Sequence, residues 1–310
     1  MIWITGCRGM LGSELVRQLE AKRLPCTGTG HEVDITDPAA AAACAARLVR
    51  TGQKPDWIVN CSAYTAVDRA EDEPEQAMLV NSIGVQHLAR TARELGAGFI
   101  HISTDYVFDG AAAVPYTEEA PAGPQSVYGT TKLAGERAAL DILPDASWIL
   151  RTSWLYGFDG RNFVYTMLRL MNSRNSVSVV RDQRGTPTFC GTLAAAIVSV
   201  ITSAAGPDGQ IPPGIYHCTD RGETTWYDFA RAIYDAGTEN GIIVHRCGVL
   251  PCTTADYPTK ARRPAYSVLD TGKLSAALTR AGMAPLPASW KDTLKRFMTD
   301  SRVRGSPFIR

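Results

Sequence analysis

IWITGCRGMLGSEL, residues Ile2 to Leu15, decides how the rest of the chain is read. A short apolar run ends in three glycines, Gly6, Gly9 and Gly12, and an amphipathic stretch follows in which Leu11, Leu15 and Leu19 recur every four residues. Residues so spaced share one face of a helix, so a buried strand here turns directly into a helix. Glycines at such a turn let the backbone approach a pyrophosphate whose charge rests at the helix N-terminus. The spacing is GxxGxxG rather than the GxGxxG of the common dinucleotide fingerprint, and a purely structural turn is the competing reading. On the dinucleotide reading, Gly6, Arg8, Gly9, Met10, Leu11 and Gly12 are cofactor-binding candidates.

Outward from that turn the pattern repeats. DWIVN, GFIHIS and SWILRTS read as further buried parallel strands. LGSELVRQLEAK, DPAAAAACAARLVRTG, PEQAMLVNSIGVQHLARTARELG and a segment opening near Val127 read as helices between them. Asp37 before Pro38 is a helix start, and Gly52 and Gly96 stand just past helix ends. The alternation predicts an α/β fold, a Rossmann-like doubly wound parallel sheet over residues 1–152. After about Thr152 the rhythm loosens into loops (YGFDGRN, RDQRGTPTFCG, GPDGQIPPG) with helical stretches at 163–172 and 226–240 and an amphipathic one at 289–300. Residues 153–310 are read mainly as a smaller C-terminal substrate lobe, with some segments returning to the Rossmann domain.

Bulk numbers exclude several classes. Lys+Arg 32 against Asp+Glu 31 leaves the 310-residue chain nearly uncharged, with no electrostatic case for a nucleic-acid partner or an anionic membrane. No apolar run approaches the ~18 residues that span a bilayer. The N-terminus enters a strand without a basic-then-apolar leader, so a cytoplasmic location is expected. The eight cysteines form no CxxC pair and suggest neither zinc nor a disulfide scaffold. His31, His87, His101, His217 and His245 show no metal spacing, and none is assigned to catalysis.

The second strand should end near Gly28–Gly30, where an acidic residue normally binds the adenosine ribose. TGTGHEVD offers no carboxylate until Glu32 and Asp34, while Arg8 is placed to face a 2′-phosphate. That favours NADPH, with NADH as the alternative, and puts Asp34 and Ile35 nearer the adenine. After the third strand, NCSAYTAVD lets small residues Ser62 and Ala63 pass beside the cofactor, or simply form a tight turn. Tyr64 and Thr65 follow in the same cofactor-flanking loop.

HISTDYVFDG brings Ser103, Thr104 and Asp105 out at the carboxyl edge of the sheet, where open α/β sheets bind ligands. VYGTTKLAGE then sets Tyr128 four positions before Lys132, on one helix face. An ammonium near a phenol is expected to pull the phenol below its usual pKa of about 10 and suit it to pass a proton. Two exposed polar residues are the plain alternative. With Thr104, these residues resemble the Ser/Thr–Tyr–Lys triad of the extended short-chain dehydrogenase/reductases. NCSAYTAVDRAEDEPEQA, STDYVFDG, YGTTKLAGE, RTSWLYG, DQRGTPT and RRPAYSVLDTGKL, in order from residue 1 to about 298, resemble the dTDP-4-dehydrorhamnose reductase family.

The resemblance implies reduction of the C4 ketone of a dTDP-4-dehydro-L-rhamnose substrate, with Tyr128 as proton donor, Thr104 as hydrogen-bond donor and Lys132 on the nicotinamide ribose. It implies that Thr65, Val67, Asp105 and Trp154 meet the sugar. Without it, a Trp in RTSWLYG reads as core. Arg263 either pairs with the diphosphate or is a solvated loop charge, and Asn162 is a lesser candidate. Asn81, mid-helix, either supports a proton relay or is a satisfied core amide. Some members hold Mg2+ at a dimer contact built from glutamates. Here Glu14 is present, but Gly191 and Thr192 stand where a second carboxylate is expected, so no metal ligand is assigned. A homodimer is the expected assembly. Reduction of another dTDP-4-keto-6-deoxyhexose and a non-catalytic regulatory subunit on the same scaffold are the alternatives.

Overall fold

A computed structural model describes residues 1–204, 211–285 and 289–309. The part of the GPDGQIPPG loop that falls on 206–210 lies outside the described residues. Strands β1 (Ile2–Thr5), β2 (Cys26–Thr29), β3 (Trp57–Asn60), β4 (Gly98–Thr104), β5 (Ser147–Thr152) and β6 (Gly214–His217) form one sheet in the order β6-β5-β4-β3-β1-β2. Every neighbouring pair is parallel. β1 and β5 are buried along their whole length, which is why they read as unbroken apolar runs rather than alternating ones.

Helices cover both faces. On one, Leu11, Leu15 and Leu19 of α1 (Met10–Ala21) meet Ile4, Val59 and Leu150 of the sheet. On the other, α2 (Pro38–Arg50) and α3 (Gly84–Leu95) bury Leu48, Leu88 and Ala92 against Trp3, Ile58 and Phe99. Each such leucine taken from water contributes about 1.5–3 kcal/mol. The predicted ends hold: Asp37 accepts from the Ala39 N–H, and Gly96 closes α3 at φ 65°. The long helix before Gly96 is not uniform. Pro74–Met78 is α-helical, Leu79–Ile83 is a π-turn, and α3 follows.

Several elements were not read from the sequence, and two of them bear directly on the sheet. α6 (Cys190–Ala204) is apolar nearly all round, so it lacks the two-faced pattern that marks a surface helix, and it packs on α1 beneath the sheet. β6 extends the sheet beyond β5. Both carry the later half of the chain back into the first core. A further core lies between α5 (Phe163–Ser173), α7 (Trp226–Glu239) and the Trp290–Thr299 helix, around Tyr156, Phe229 and Phe297. α4 (Val127–Ile142) opens where the sequence placed it.

Candidate active site

The chain runs from β1 to β2 and then crosses back to β3 on the other side of β1, so the crevice above β1 and β3 is the point where the strand order reverses. Gly6 turns there at φ 66°, and a Cβ on it would stand 2.9 Å from the Cys61 carbonyl carbon and the Ser62 nitrogen. A Cβ on Gly12 would collide with the Gly6 carbonyl. The first and third glycines thus fold the loop onto the β3 turn and onto its own helix. Gly9 caps α1 without any side-chain hydrogen bond, which leaves the first-turn amides for an anion. These features fit a dinucleotide pyrophosphate.

The β3 loop is held from below. Asn81, in the π-turn, accepts from the Tyr64 N–H at 2.9 Å and donates to the Tyr64 carbonyl at 3.1 Å and the Thr131 hydroxyl at 3.1 Å. Its amide is therefore the core clamp of the two alternatives, fully engaged between loop and α4. The Tyr64 side chain turns to Glu73, 2.8 Å away, so this residue offers the cleft its backbone only.

β4 and α4 bring the reactive groups together. Ser126 caps α4 by accepting from the Gly129 N–H at 3.1 Å. A Cβ at Gly129 would collide with the Tyr106 carbonyl, so this glycine admits the helix start to the β4 edge. Thr104, Asp105, Tyr128 and Lys132 line one cleft of about 560 Å³ with Gly9, Met10, Leu11, Ala63, Thr65, Val67 and Trp154. Ser103, which the sequence placed at the same strand end, lines it too, as do Cys61, Tyr106, Thr152, Ser153 and Arg161, which were not singled out as site residues; only their position beside the quoted motifs could have pointed to them. The hydroxyls of Ser103 and Thr152 and one oxygen of Asp105 are buried there without a hydrogen-bond partner among the described residues. Such groups are costly unless a ligand meets them.

The electrostatics correct one expectation. Burial pushes the Tyr128 phenol well above its usual range and nearby Asp105 and Tyr106 add to this, while only Thr104 opposes. Burial, not Lys132, sets the direction. The lysine Nζ points to the Ile102 carbonyl at 2.6 Å and to His101 Nε2 at 3.3 Å, and burial brings the lysine itself down to about 8. Asp105 is raised to about 6 by burial, against the pull of the Ser267 and Thr104 hydroxyls. The Thr104 hydroxyl donates to Asp105 at 2.9 Å and accepts from the Tyr106 N–H at 3.2 Å. To donate to a ligand it must first turn away from Asp105.

On the substrate side, Trp154 is on the wall of the cleft rather than in the core. It holds a left-handed φ of 46° and stacks on Trp226 at 3.6 Å. A Cβ on Gly185 would stand 2.5 Å from the indole, so the glycine of DQRGTPT makes room for it. Arg263 is not a solvated loop charge: it donates to the Tyr106 hydroxyl at 2.9 Å and pairs with Asp68 at 2.6 Å. It also borders a second cleft of about 450 Å³, with Tyr106, Phe163, Arg174, Gln183 and Trp226, which adjoins the first through Tyr106. Asn162 is a helix cap, accepting from the Tyr165 N–H and donating to the Gly157 carbonyl. It is not placed as a ligand.

Three cofactor candidates lie away from the cleft. Arg8 reaches the end of β2, where it pairs at 3.1 Å with Glu32, a carboxylate that sequence spacing had set aside. Asp34 is turned into its own loop by Thr36, and the Ile35 side chain is buried against Gly84. Glu14 is taken by Arg17 and by Gln18, the latter at 3.0 Å. Among the described residues no three His, Cys, Asp or Glu gather as a metal site, and no helix is long and apolar enough to cross a membrane.

Comparison with known proteins identifies the family. The family described as RmlD substrate binding domain matches residues 1–303. A dTDP-4-dehydrorhamnose reductase of Streptomyces griseus is 43% identical over 293 residues, covering 94% of this chain and 90% of that protein. A dTDP-4-keto-6-deoxy-D-glucose reductase of Streptomyces niveus is 40% identical, covering 91% of each. The crystal structure of a dTDP-4-dehydrorhamnose reductase from Bacillus anthracis in complex with NADP superimposes with TM-score 0.84 at 34% identity, covering 96% of this chain and 97% of that one.

Proposed function

The chain belongs to the RmlD substrate-binding-domain family, and from that premise we propose that it is an NADPH-dependent oxidoreductase that reduces the C4 ketone of dTDP-4-dehydro-β-L-rhamnose to dTDP-L-rhamnose. The observation that carries the reading is the meeting of Thr104, Tyr128 and Lys132 in one cleft beside the glycine loop. The NADP-bound Bacillus anthracis relative supports the choice of dinucleotide, and on this reading Arg8 leaves Glu32 to meet the 2′-phosphate.

The Gly6–Gly12 loop and the first amides of α1 hold the pyrophosphate, and Ser62 and Ala63 flank the ribose. When bound, the cofactor supplies the hydride that C4 accepts. Negative charge then builds on O4, and Tyr128 gives its proton there. Burial keeps the Tyr128 phenol protonated, so it has a proton to give, and the charge growing on O4 is what draws that proton across. Thr104 swings its hydroxyl from Asp105 to O4, and the freed Asp105 oxygens accept from a sugar hydroxyl. Lys132 holds the nicotinamide ribose. Trp154 and Trp226 wall the sugar, while Thr65 and Val67 face it across the cleft. Arg263 exchanges Asp68 for the diphosphate, with the nucleoside in the adjoining cleft.

The Streptomyces niveus relative favours one second reading, reduction of another dTDP-4-keto-6-deoxyhexose, since the triad is blind to the other ring carbons. By resemblance the protein works as a cytoplasmic homodimer. Oxidation of NADPH, followed by the loss of its nicotinamide absorbance, against a panel of dTDP-4-ketohexoses, with NMR of the product, tests the reading. Turnover of the rhamnose precursor above the others is expected. Dinucleotide binding without oxidation by any of them would instead mark a regulatory subunit.

A further inference from the structure

Behind Lys132 a line of buried polar side chains crosses three strands. Its Nζ lies 3.3 Å from His101 Nε2 on β4, and the other ring nitrogen, Nδ1, lies 3.1 Å from Asn60 Nδ2 on β3. Asn60 Oδ1 accepts from the Thr5 hydroxyl on β1 at 2.8 Å and from the Ser62 backbone N–H at 3.0 Å. Thr5, Asn60, His101 and Lys132 are each at most 2% exposed, so bulk water does not settle which group donates.

The donors do not balance. Burial, and then the adjacent lysine, hold His101 well below the usual imidazole range, so the ring is neutral and has one N–H to place. Ser62 and Thr5 fix the Asn60 oxygen, which turns the Asn60 NH2 toward Nδ1. Nδ1 must then accept, and the ring proton sits on Nε2, facing Lys132. That contact is a hydrogen bond only if Nζ carries a lone pair. An ammonium there requires Nε2 to accept, with the proton moved to Nδ1 against the Asn60 NH2. The clash is relieved by turning the Asn60 amide over, and the Thr5 hydroxyl can rotate to suit. The Ser62 N–H cannot, and it loses its acceptor.

We propose that His101 is a positioning residue that makes a proton on Lys132 and the Asn60–Ser62 hydrogen bond mutually exclusive, so that the charge of the lysine is coupled to the turn flanking the dinucleotide. In the change the pair gains one proton: the Nε2 proton passes to Nζ, and the proton bound from solvent ends on Nδ1. Ser62 stands against Gly6, so a shift there is felt by the glycine loop. Other groups also face Lys132. Cys61, after β3, is pushed up to about 12 and stays neutral. Glu136, one turn along α4, is held by Arg151 of β5 at 2.9 and 2.7 Å. Tyr128, at the helix start, stays protonated, and Asp105 beyond it titrates at about 6.

Long-range 1H–15N spectra of protein labelled at histidine read the tautomer directly, the His101 signal being identified by its loss in His101→Gln. The wild type should show Nε2–H on the alkaline side of about pH 8 and Nδ1–H on the acid side. Lys132→Met should hold Nε2–H throughout, and Asn60→Asp, which can only accept, should hold Nδ1–H throughout. One unchanging tautomer in the wild type, or a switch that survives in Lys132→Met, overturns the proposal. A second arm rests on the dinucleotide reading above and uses NADH, which has no 2′-phosphate to titrate. Its affinity, by nicotinamide fluorescence, should weaken about 2- to 10-fold as the pH falls through that midpoint, the worth of one hydrogen bond, and should stay level in Asn60→Asp. Equal slopes in the two proteins overturn the coupling. A protein that binds no dinucleotide at any pH overturns the functional reading instead and leaves the tautomer result standing.

Discussion

Tyr128 and Asp105 share a cleft that favours the protonated form of both, and this has two measurable consequences. Tyr128→Phe removes the proton donor while keeping the ring that packs against Tyr106. Turnover should fall by about 10²- to 10⁴-fold with NADPH affinity nearly unchanged; near-normal turnover would show that another group protonates O4. Asp105 titrates at about 6 in the fold against about 3.9 unfolded. Its stabilising contribution is therefore full below the unfolded value and is lost as the pH rises through 6. Asp105→Asn should remove that loss and raise stability at pH 7 by on the order of 1–3 kcal/mol, while weakening the sugar. Thermal melts at pH 4 and pH 7 check this, and parallel shifts at both would exclude the linkage. The pairing of Tyr128 with Lys132 was legible from four-residue spacing. The sign of the effect on the phenol was not, because burial is set by the walls of the cleft rather than by the helix.

The elements that aim these side chains meet through glycines. A Cβ at Gly135 of α4 would collide with the Asn81 carbonyl in the π-turn. Gly135→Ala should push the helix off that turn, costing about 1–3 kcal/mol in urea unfolding and disturbing the Tyr64 clamp, seen as weaker dinucleotide binding. Unchanged stability would mean the contact is loose. The sequence marked Asn81 as an oddity in a helix without showing why it is tolerated. The reason is local: the π-turn sets its amide where Tyr64 of one segment and Thr131 of another both need a partner. Likewise Gly185 read as part of a loop, and only the stacked Trp154 and Trp226 give it a purpose.

Across the whole molecule, the first core depends on chain that comes late. α6 covers Leu11, Leu15 and Leu19, and β6 pairs along β5. A fragment of residues 1–152 would expose that face and leave β5 as an open edge, an invitation to aggregate. It should stay insoluble or bind a hydrophobic dye, whereas a monomeric fragment with a cooperative melt would show the first half to be self-sufficient. Strands β1 to β5, the glycine turn, most helix ends and the Tyr128–Lys132 pairing were legible in the sequence alone, since periodicity, capping and short spacing are local properties, while Thr104 joined that pair through the family resemblance. The buried state of Tyr128, the clamp on Arg263, the return of α6 and β6, and the line from Lys132 through His101 to Ser62 were decided only by tertiary structure. Each depends on residues far apart in the chain being brought within hydrogen-bonding or packing distance, and no local pattern records that approach.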